Sequence, residues 1–164
     1  MKYSYLQSPL GDMLVTRDEA GLTGLDLPEA RYPRRVQAQW ERDDAGFEDV
    51  RRQLAEYFAG DRTAFDLTLH PSGTPFQLRV WAALCEIPCG QTRSYGQQAA
   101  AIGADPRTAS RAVGLANGKN PISIIVPCHR VIGADGSLTG YGGGLPAKKW
   151  LLEHESQQVG LFAL

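Results

Sequence analysis

The chain has 164 residues, 43% hydrophobic and 21% charged, which is enough to bury a core as one domain or as two small ones. Its net charge of −1 is unevenly spread: residues 1–71 hold nine Lys/Arg against thirteen Asp/Glu, and residues 72–164 hold eight against five, so a nucleic-acid partner would belong to the second half. There is no charged-then-apolar leader and no apolar run of bilayer length, so a soluble, cytoplasmic protein with no membrane partner is expected.

Residues 2–7 and 13–16 have strand character and are joined by Ser8-Pro9-Leu10-Gly11-Asp12, a turn sequence. Residues 21–27 alternate apolar with small or polar side chains, which predicts a third strand and an antiparallel meander. Residues 28–46 are rich in charge, carry Pro28 and Pro33, and read as a loop with at most a short helix. Phe47, Val50, Leu54, Tyr57 and Phe58 then recur at helical spacing up to Gly60. Phe65, Leu67 and Leu69 alternate, predicting a last strand that ends near His70-Pro71. Residues 1–71 thus read as a small α+β scaffold domain without evident chemistry, and His70 as an ordinary surface histidine.

Ser72-Gly73 is a linker, after which Thr74 and Pro75 supply an N-cap and a first helical residue. Phe76, Val80, Leu84 and Ile87 line one face up to Pro88-Cys89-Gly90. Cys85 and Cys89 have no second ligand pair, and three cysteines without paired spacing make no disulfide framework; neither a metal nor a cofactor is expected. Ser94 caps a helix from Tyr95 to Ile102, stopped by Gly103, and Asp105-Pro106 leads into a second from about Arg107 to Ala116. Two short helices around a tight turn make a helix-turn-helix; an αα-hairpin with no DNA role is the alternative on pattern alone. The second helix is small and nearly neutral apart from Arg107 and Arg111. It lacks the long polar side chains that read base edges, and suits close backbone approach with one cation entering the groove or stack. That is shape-reading and base extrusion without sequence preference.

Asn117-Gly118-Lys119-Asn120-Pro121 leads into Ile124–Ile132, a β-branched apolar run that predicts a buried strand. Pro127 cannot donate to a ladder, so the strand ends or bends there, and only a bend lets Cys128 and His129 share a pocket. A core cysteine beside a packed histidine is the competing reading. Gly133-Ala134-Asp135-Gly136-Ser137 is a hairpin turn, and Thr139-Gly140-Tyr141-Gly142-Gly143-Gly144 a flexible loop with open backbone N–H groups. Pro146 starts a final helix that carries Trp150, Leu151 and Leu152 and ends with His154-Glu155, and the tail 159–164 is apolar enough to pack back. A free cysteine, with a pKa of about 8.5, needs a base at neutral pH, and His129 is the nearest, directly or through a water. Glu153 and Glu155 are both candidates to orient that imidazole, because a glutamate at a helix C-terminus opposes the macrodipole and needs an external reason to be there.

Pro127-Cys128-His129-Arg130-Val131 resembles the active-site signature of the O6-alkylguanine-DNA alkyltransferases, the methylated-DNA–protein-cysteine methyltransferase family. Arg111-Ala112-Val113-Gly114, Asn120-Pro121 and Thr139-Gly140-Tyr141 resemble the family pattern in order and spacing, and Ser8-Pro9-Leu10-Gly11 does so more weakly. The turn between the two helices is longer than is usual there, and Cys89 stands where an aromatic is commoner. The resemblance implies an α+β fold: a ribonuclease H-like domain over 1–71, with a small antiparallel sheet and a helix, and a mainly helical domain over 72–164 with a winged helix-turn-helix. It implies a DNA repair protein that flips O6-alkylated guanine out of the duplex, with O4-alkylated thymine as a further candidate, and transfers the alkyl group irreversibly to Cys128. It selects His129 as base, Glu155 as its orienter and Asn120 as the brace before the cysteine. Tyr141 and the backbone of Val131 and Gly142 would line the guanine pocket. Tyr95 would push on the target phosphate and Arg111 fill the vacated space, with Ser94, Arg107, Ala112, Gly114 and Lys119 completing the DNA surface. The implied partner is double-stranded DNA of any sequence, bound by a monomer. A turnover thiol hydrolase would leave the helix-turn-helix without purpose, and a pure binder of damaged DNA would leave Cys128 without one.

Overall fold

The structure is a computed structural model that describes residues 1–30, 34–138, 141 and 144–162, with side chains up to residue 158. Strands β1 (Lys2–Leu6), β2 (Met13–Arg17) and β3 (Leu22–Asp26) form the expected antiparallel meander. A fourth, β4 (Glu41–Arg42), pairs parallel with β1 and gives a mixed sheet in the order β3-β2-β1-β4. The sequence placed β4 in a loop because two exposed charged residues carry no alternation. Helix α1 (Glu48–Phe58) sends Val50, Gln53, Leu54 and Tyr57 into the core shared with Leu6, Met13, Val15, Leu22 and Leu25.

The strand expected over Phe65–Leu69 does not form. Leu69 makes one isolated bridge to Leu22, with Leu22 N–H donating to Thr68 O at 2.9 Å and His70 N–H to Leu22 O at 2.7 Å. Upstream, the buried Gln53 side chain holds both backbone groups of Asp66, donating to its carbonyl at 3.0 Å and accepting its N–H at 2.8 Å. A side chain here satisfies the backbone that a neighbouring strand would otherwise pair.

Helix α2 (Pro75–Leu84) begins with a capping box between Thr74 and Gln77. Strand β5 (Arg93–Ser94) precedes α3 (Tyr95–Ala101), which Ser94 and Gln97 cap in the same reciprocal way. Helix α4 (Pro106–Gly118), capped by Asp105, runs two residues past its expected end at Ala116. Within that extension Asn117 is buried and exchanges hydrogen bonds of 3.0 and 2.8 Å with Gln98, fixing α3 against α4. Trp81 Nε1 donates to Ala116 O at 2.9 Å and ties α2 to the same pair. Strand β6 (Val131–Ile132) pairs parallel with β5, linking the start of α3 to the chain that follows Cys128.

The last helix, α5 (Leu145–Phe162), does not end at His154-Glu155 but continues to Phe162. The side chains of the apolar tail expected to pack back lie outside the described residues. No helix among the described residues is long and apolar enough to cross a membrane.

Candidate active site

The run Ile124–Ile132, expected as a buried strand that ends or bends at Pro127, is strand only at its last two residues. Upstream of it the chain is anchored to the sheet edge: Leu25 N–H donates to Pro121 O at 2.8 Å and Ser123 N–H to Leu25 O at 3.0 Å. Tight turns follow, closed by Ile125 N–H on Ser123 O at 2.8 Å, Val126 N–H on Ile122 O at 3.0 Å and Cys128 N–H on Val126 O at 2.9 Å. Ile124 sits at φ 71°, a left-handed conformation that for a β-branched residue costs on the order of 1–3 kcal/mol. The β-branched composition therefore reports burial, not extension. After Pro127, residues Cys128–Arg130 form one 3-10 turn with all three side chains buried.

Asn120 holds this turn to itself. Its Nδ2 donates to Val126 O at 2.8 Å and to Cys128 Sγ at 3.2 Å, while its Oδ1 accepts Ile122 N–H at 3.0 Å. Burial pushes the Cys128 thiol up to about 11, with Asn120 and the charge of Lys148 pulling the other way. Lys148 is itself fully buried, and its Nζ donates to Val131 O at 2.6 Å. The carbonyl expected to face guanine thus already has one donor.

Behind the cysteine, Glu155 gathers four donor groups. Its Oε2 takes His129 Nε2 at 2.7 Å, Tyr57 Oη at 2.6 Å and Arg130 Nη2 at 3.0 Å; its Oε1 takes Arg130 Nε at 2.8 Å. Arg130 Nη1 donates onward to Ile87 O at 2.6 Å. Burial alone would raise the Glu155 carboxyl, but His129 and Arg130 outweigh it and hold it well below the usual carboxylate range. Burial lowers the His129 imidazole more than Glu155 raises it, so the ring is neutral at neutral pH. An anion at Glu155 fixes the tautomer: Nε2 carries the proton and Nδ1 the lone pair. That Nδ1 is buried without a hydrogen-bond partner among the described residues. No hydrogen bond joins Cys128 to His129 directly among the described residues. The direct contact allowed by the sequence is absent, which leaves the route through a water.

Tyr141 is buried with its ring edge-on to His129, centroids 6.5 Å apart. Its hydroxyl, Ser123 nearby apart, has no partner among the described residues. Gly142 lies outside the described residues. Of the two glutamates, Glu153 is exposed and only Glu155 turns inward. Neither glutamate stands at the helix C-terminus that made both candidates, since Glu155 lies seven residues before the end of α5.

Two site residues were not found from the sequence: Tyr57 as a hydrogen-bond donor, and Lys148; Arg130, readable there as a structural partner of a carboxylate, takes that place beside Glu155. A signal for Lys148 existed. Lys148, Leu151, Glu155 and Gln158 are all buried and fall at the three- and four-residue spacing of one helix face. Marking Glu155 as inward would have marked Lys148 as well.

The residues assigned to DNA lie on α3 and α4. Ser94 caps α3; Tyr95, half-buried, lies against Gly114, where an added Cβ would come 3.5 Å from the tyrosine ring. Arg107, Arg111, Ala112 and Lys119 are exposed along α4 and its C-cap, and none of the three cations forms an ion pair among the described residues.

Family models match both halves of the chain: the ribonuclease-like domain of 6-O-methylguanine DNA methyltransferase over residues 1–71, and its DNA binding domain over residues 75–157. A methylated-DNA--protein-cysteine methyltransferase of Methanosarcina barkeri is 49% identical over 159 residues, 97% of this chain and 99% of its own length. One from Mycobacterium bovis is 52% identical over 158 residues, 96% of this chain and 93% of that one. The crystal structure of Mycobacterium tuberculosis OGT in complex with DNA has a TM-score of 0.89 and 49% identity, covering 96% of this chain and 94% of that one. With both halves matched in order and close relatives aligned along nearly the whole length, the chain belongs to the 6-O-methylguanine DNA methyltransferase family.

Proposed function

We propose that this protein repairs O6-alkylated guanine in duplex DNA by moving the alkyl group onto Cys128. One observation carries the reading: a buried thiol held by Asn120 lies one residue from a neutral imidazole whose only open nitrogen is Nδ1 and whose other nitrogen is held by an anion. A core histidine has no need of that arrangement. A nucleophile–base–orienter set does.

With a pKa near 11 the thiol is protonated at pH 7, so the proton must leave as the substrate arrives. It passes through one water to His129 Nδ1, and Glu155 stabilises the imidazolium. The thiolate attacks the alkyl carbon; the S–C bond forms as the C–O6 bond breaks, and guanine leaves with the bonding pair. The proton taken from the thiol is the one that the departing guanine needs, so the step closes without cofactor or metal. Lys148 and Asn120 stabilise developing charge on sulfur. Tyr141, with the backbone of Val131, lines the base pocket.

The product is a thioether. A thioester offers water an electrophilic carbonyl; a methyl thioether does not, and no group placed beside Cys128 among the described residues supplies a route back. The protein therefore acts once. Residues 72–164 carry the DNA surface and the chemistry, with Arg111 filling the space the base leaves and Tyr95 beside the target phosphate. Residues 1–71 form the scaffold, supported by the Leu25 contacts to the active-site turn. Three unpaired cysteines suit a reducing, cytoplasmic setting.

The test is Cys128→Ser assayed beside the wild type on a duplex containing O6-methylguanine. Transfer should vanish while duplex affinity is retained. Residual transfer by the variant, or loss of both properties in a folded protein, would contradict the assignment.

A further inference from the structure

Arg107, Arg111, Leu115 and Lys119 follow one another at four-residue spacing, so they form a single stripe on the outer face of α4. All four are exposed. Leu115 is 65% exposed, the most exposed large apolar side chain among the described residues. Packing does not require it, because Val113 and Ala116 supply the buried face of the helix. Its neighbours three residues away on either side are Ala112 and Gly118, and a Cβ added at Gly118 would meet nothing within 4 Å. The leucine therefore stands clear of its own helix, between the cations Arg111 and Lys119.

We infer that Leu115 is an apolar DNA contact, seated in the minor groove beside the position that Arg111 fills. The inference rests on the proposed function. The occupant is chosen by charge: α4 contains no acidic residue, and the three cations of the stripe are free to meet phosphates that flank a groove. The spacing is chosen by geometry. Four residues of helix advance about 6 Å, and one base step about 3.4 Å, so Leu115 reaches one or two steps from the extruded base. An apolar side chain there lies against sugars and the partly unstacked neighbouring pair, as wedge residues of minor-groove binders do. Arg111 occupies the gap, and Leu115 excludes water from the step beside it. The leucine thus favours the flipped state without reading sequence.

The experiment is Leu115→Ala in the full chain. Duplex affinity is measured at several salt concentrations, and single-turnover transfer from an O6-methylguanine duplex is compared with transfer from the free O6-methylguanine base. Duplex affinity should fall about tenfold, about 1.4 kcal/mol by the standard conversion. The slope of log affinity against log salt should not change, since no phosphate contact is lost. Transfer from the free base should be unaffected, and Leu115→Met should restore duplex affinity. Lys119→Ala, by contrast, should flatten the slope. Wild-type affinity in Leu115→Ala, with the wild type binding and repairing the duplex, overturns the leucine and leaves the proposed function standing. So does a changed salt slope, or a changed oligomeric state at unchanged duplex affinity, which would assign Leu115 to a protein contact. A wild type that neither binds nor repairs the duplex overturns both.

Discussion

Replacing Glu155 by glutamine removes one charge and no volume. The consequence follows from Arg130, only 6% exposed, which keeps its charge while its carboxylate partner disappears. Breaking a buried ion pair from one side costs about 3–5 kcal/mol. The amide oxygen still accepts one or two of the former donors, so the lower end applies. For a chain of this size each kcal/mol lowers the unfolding temperature by about 2–4 °C, giving a drop of roughly 6–12 °C. The effect has a pH signature. The folded pKa of Glu155 is depressed, so its contribution is fully present above the unfolded value of about 4.3 and is lost as pH falls through the folded one. The wild type should therefore lose stability on acidification in a component that Glu155→Gln does not show, and the two curves should converge at low pH. Transfer should slow as well, because the imidazolium at His129 loses its counter-charge. Thermal unfolding from pH 7 to pH 3 and a single-turnover assay read all three effects. Adding Arg130→Met to the variant should recover stability by removing the orphaned charge. A Glu155→Gln protein within 1 kcal/mol of wild type at pH 7, or with the same acid sensitivity, would refute the reasoning.

Tyr57→Phe leaves the ring and removes the 2.6 Å hydrogen bond to Glu155, which should cost about 1.5–3 kcal/mol without opening a cavity; an unchanged unfolding curve would contradict it. With the Cys128 thiol near 11, its alkylation by a haloacetamide in the free protein, mapped by peptide mass, should climb about tenfold per pH unit from 7 to 10; a plateau near neutrality would show a thiolate already present. Lys148→Met removes a cation that draws the thiol down, so that profile should move to higher pH. Arg111→Ala should weaken repair of duplex far more than transfer from the free base; equal losses would place Arg111 in folding or chemistry instead.

The parts of the site that were legible were those fixed by local covalent logic. Pro127 announced a break in the backbone before Cys128, and the break is a 3-10 turn. Thr74 and Ser94 announced helix starts, and both form capping boxes. Composition misled where burial and conformation parted. Ile124, Ile125 and Val126 are β-branched because they are buried, yet the chain there turns so tightly that Ile124 takes a positive φ. Phe65, Leu67 and Leu69 alternate, but Gln53 occupies the backbone that a strand would have paired. Helix α5 was ended too early because its inner face is partly polar. Lys148, Glu155 and Gln158 are buried there by partners distant in sequence, Val131 O, His129 with Arg130 and Tyr57, and Arg62 O, and hydropathy periodicity does not register a buried polar residue. Tyr57 shows the same limit from the other side: its ring reads as core, and only the fold reveals what its hydroxyl meets.

The most direct measurement is the intact mass of the protein after incubation with increasing amounts of duplex containing O6-methylguanine. Each molecule should gain one methyl group and no more, the repaired guanine should plateau at one equivalent, and the modified peptide should be the one containing Cys128, with Cys85 and Cys89 unmodified. Repaired guanine that keeps growing past one equivalent, or a methyl group mapped to any other residue, would contradict the account.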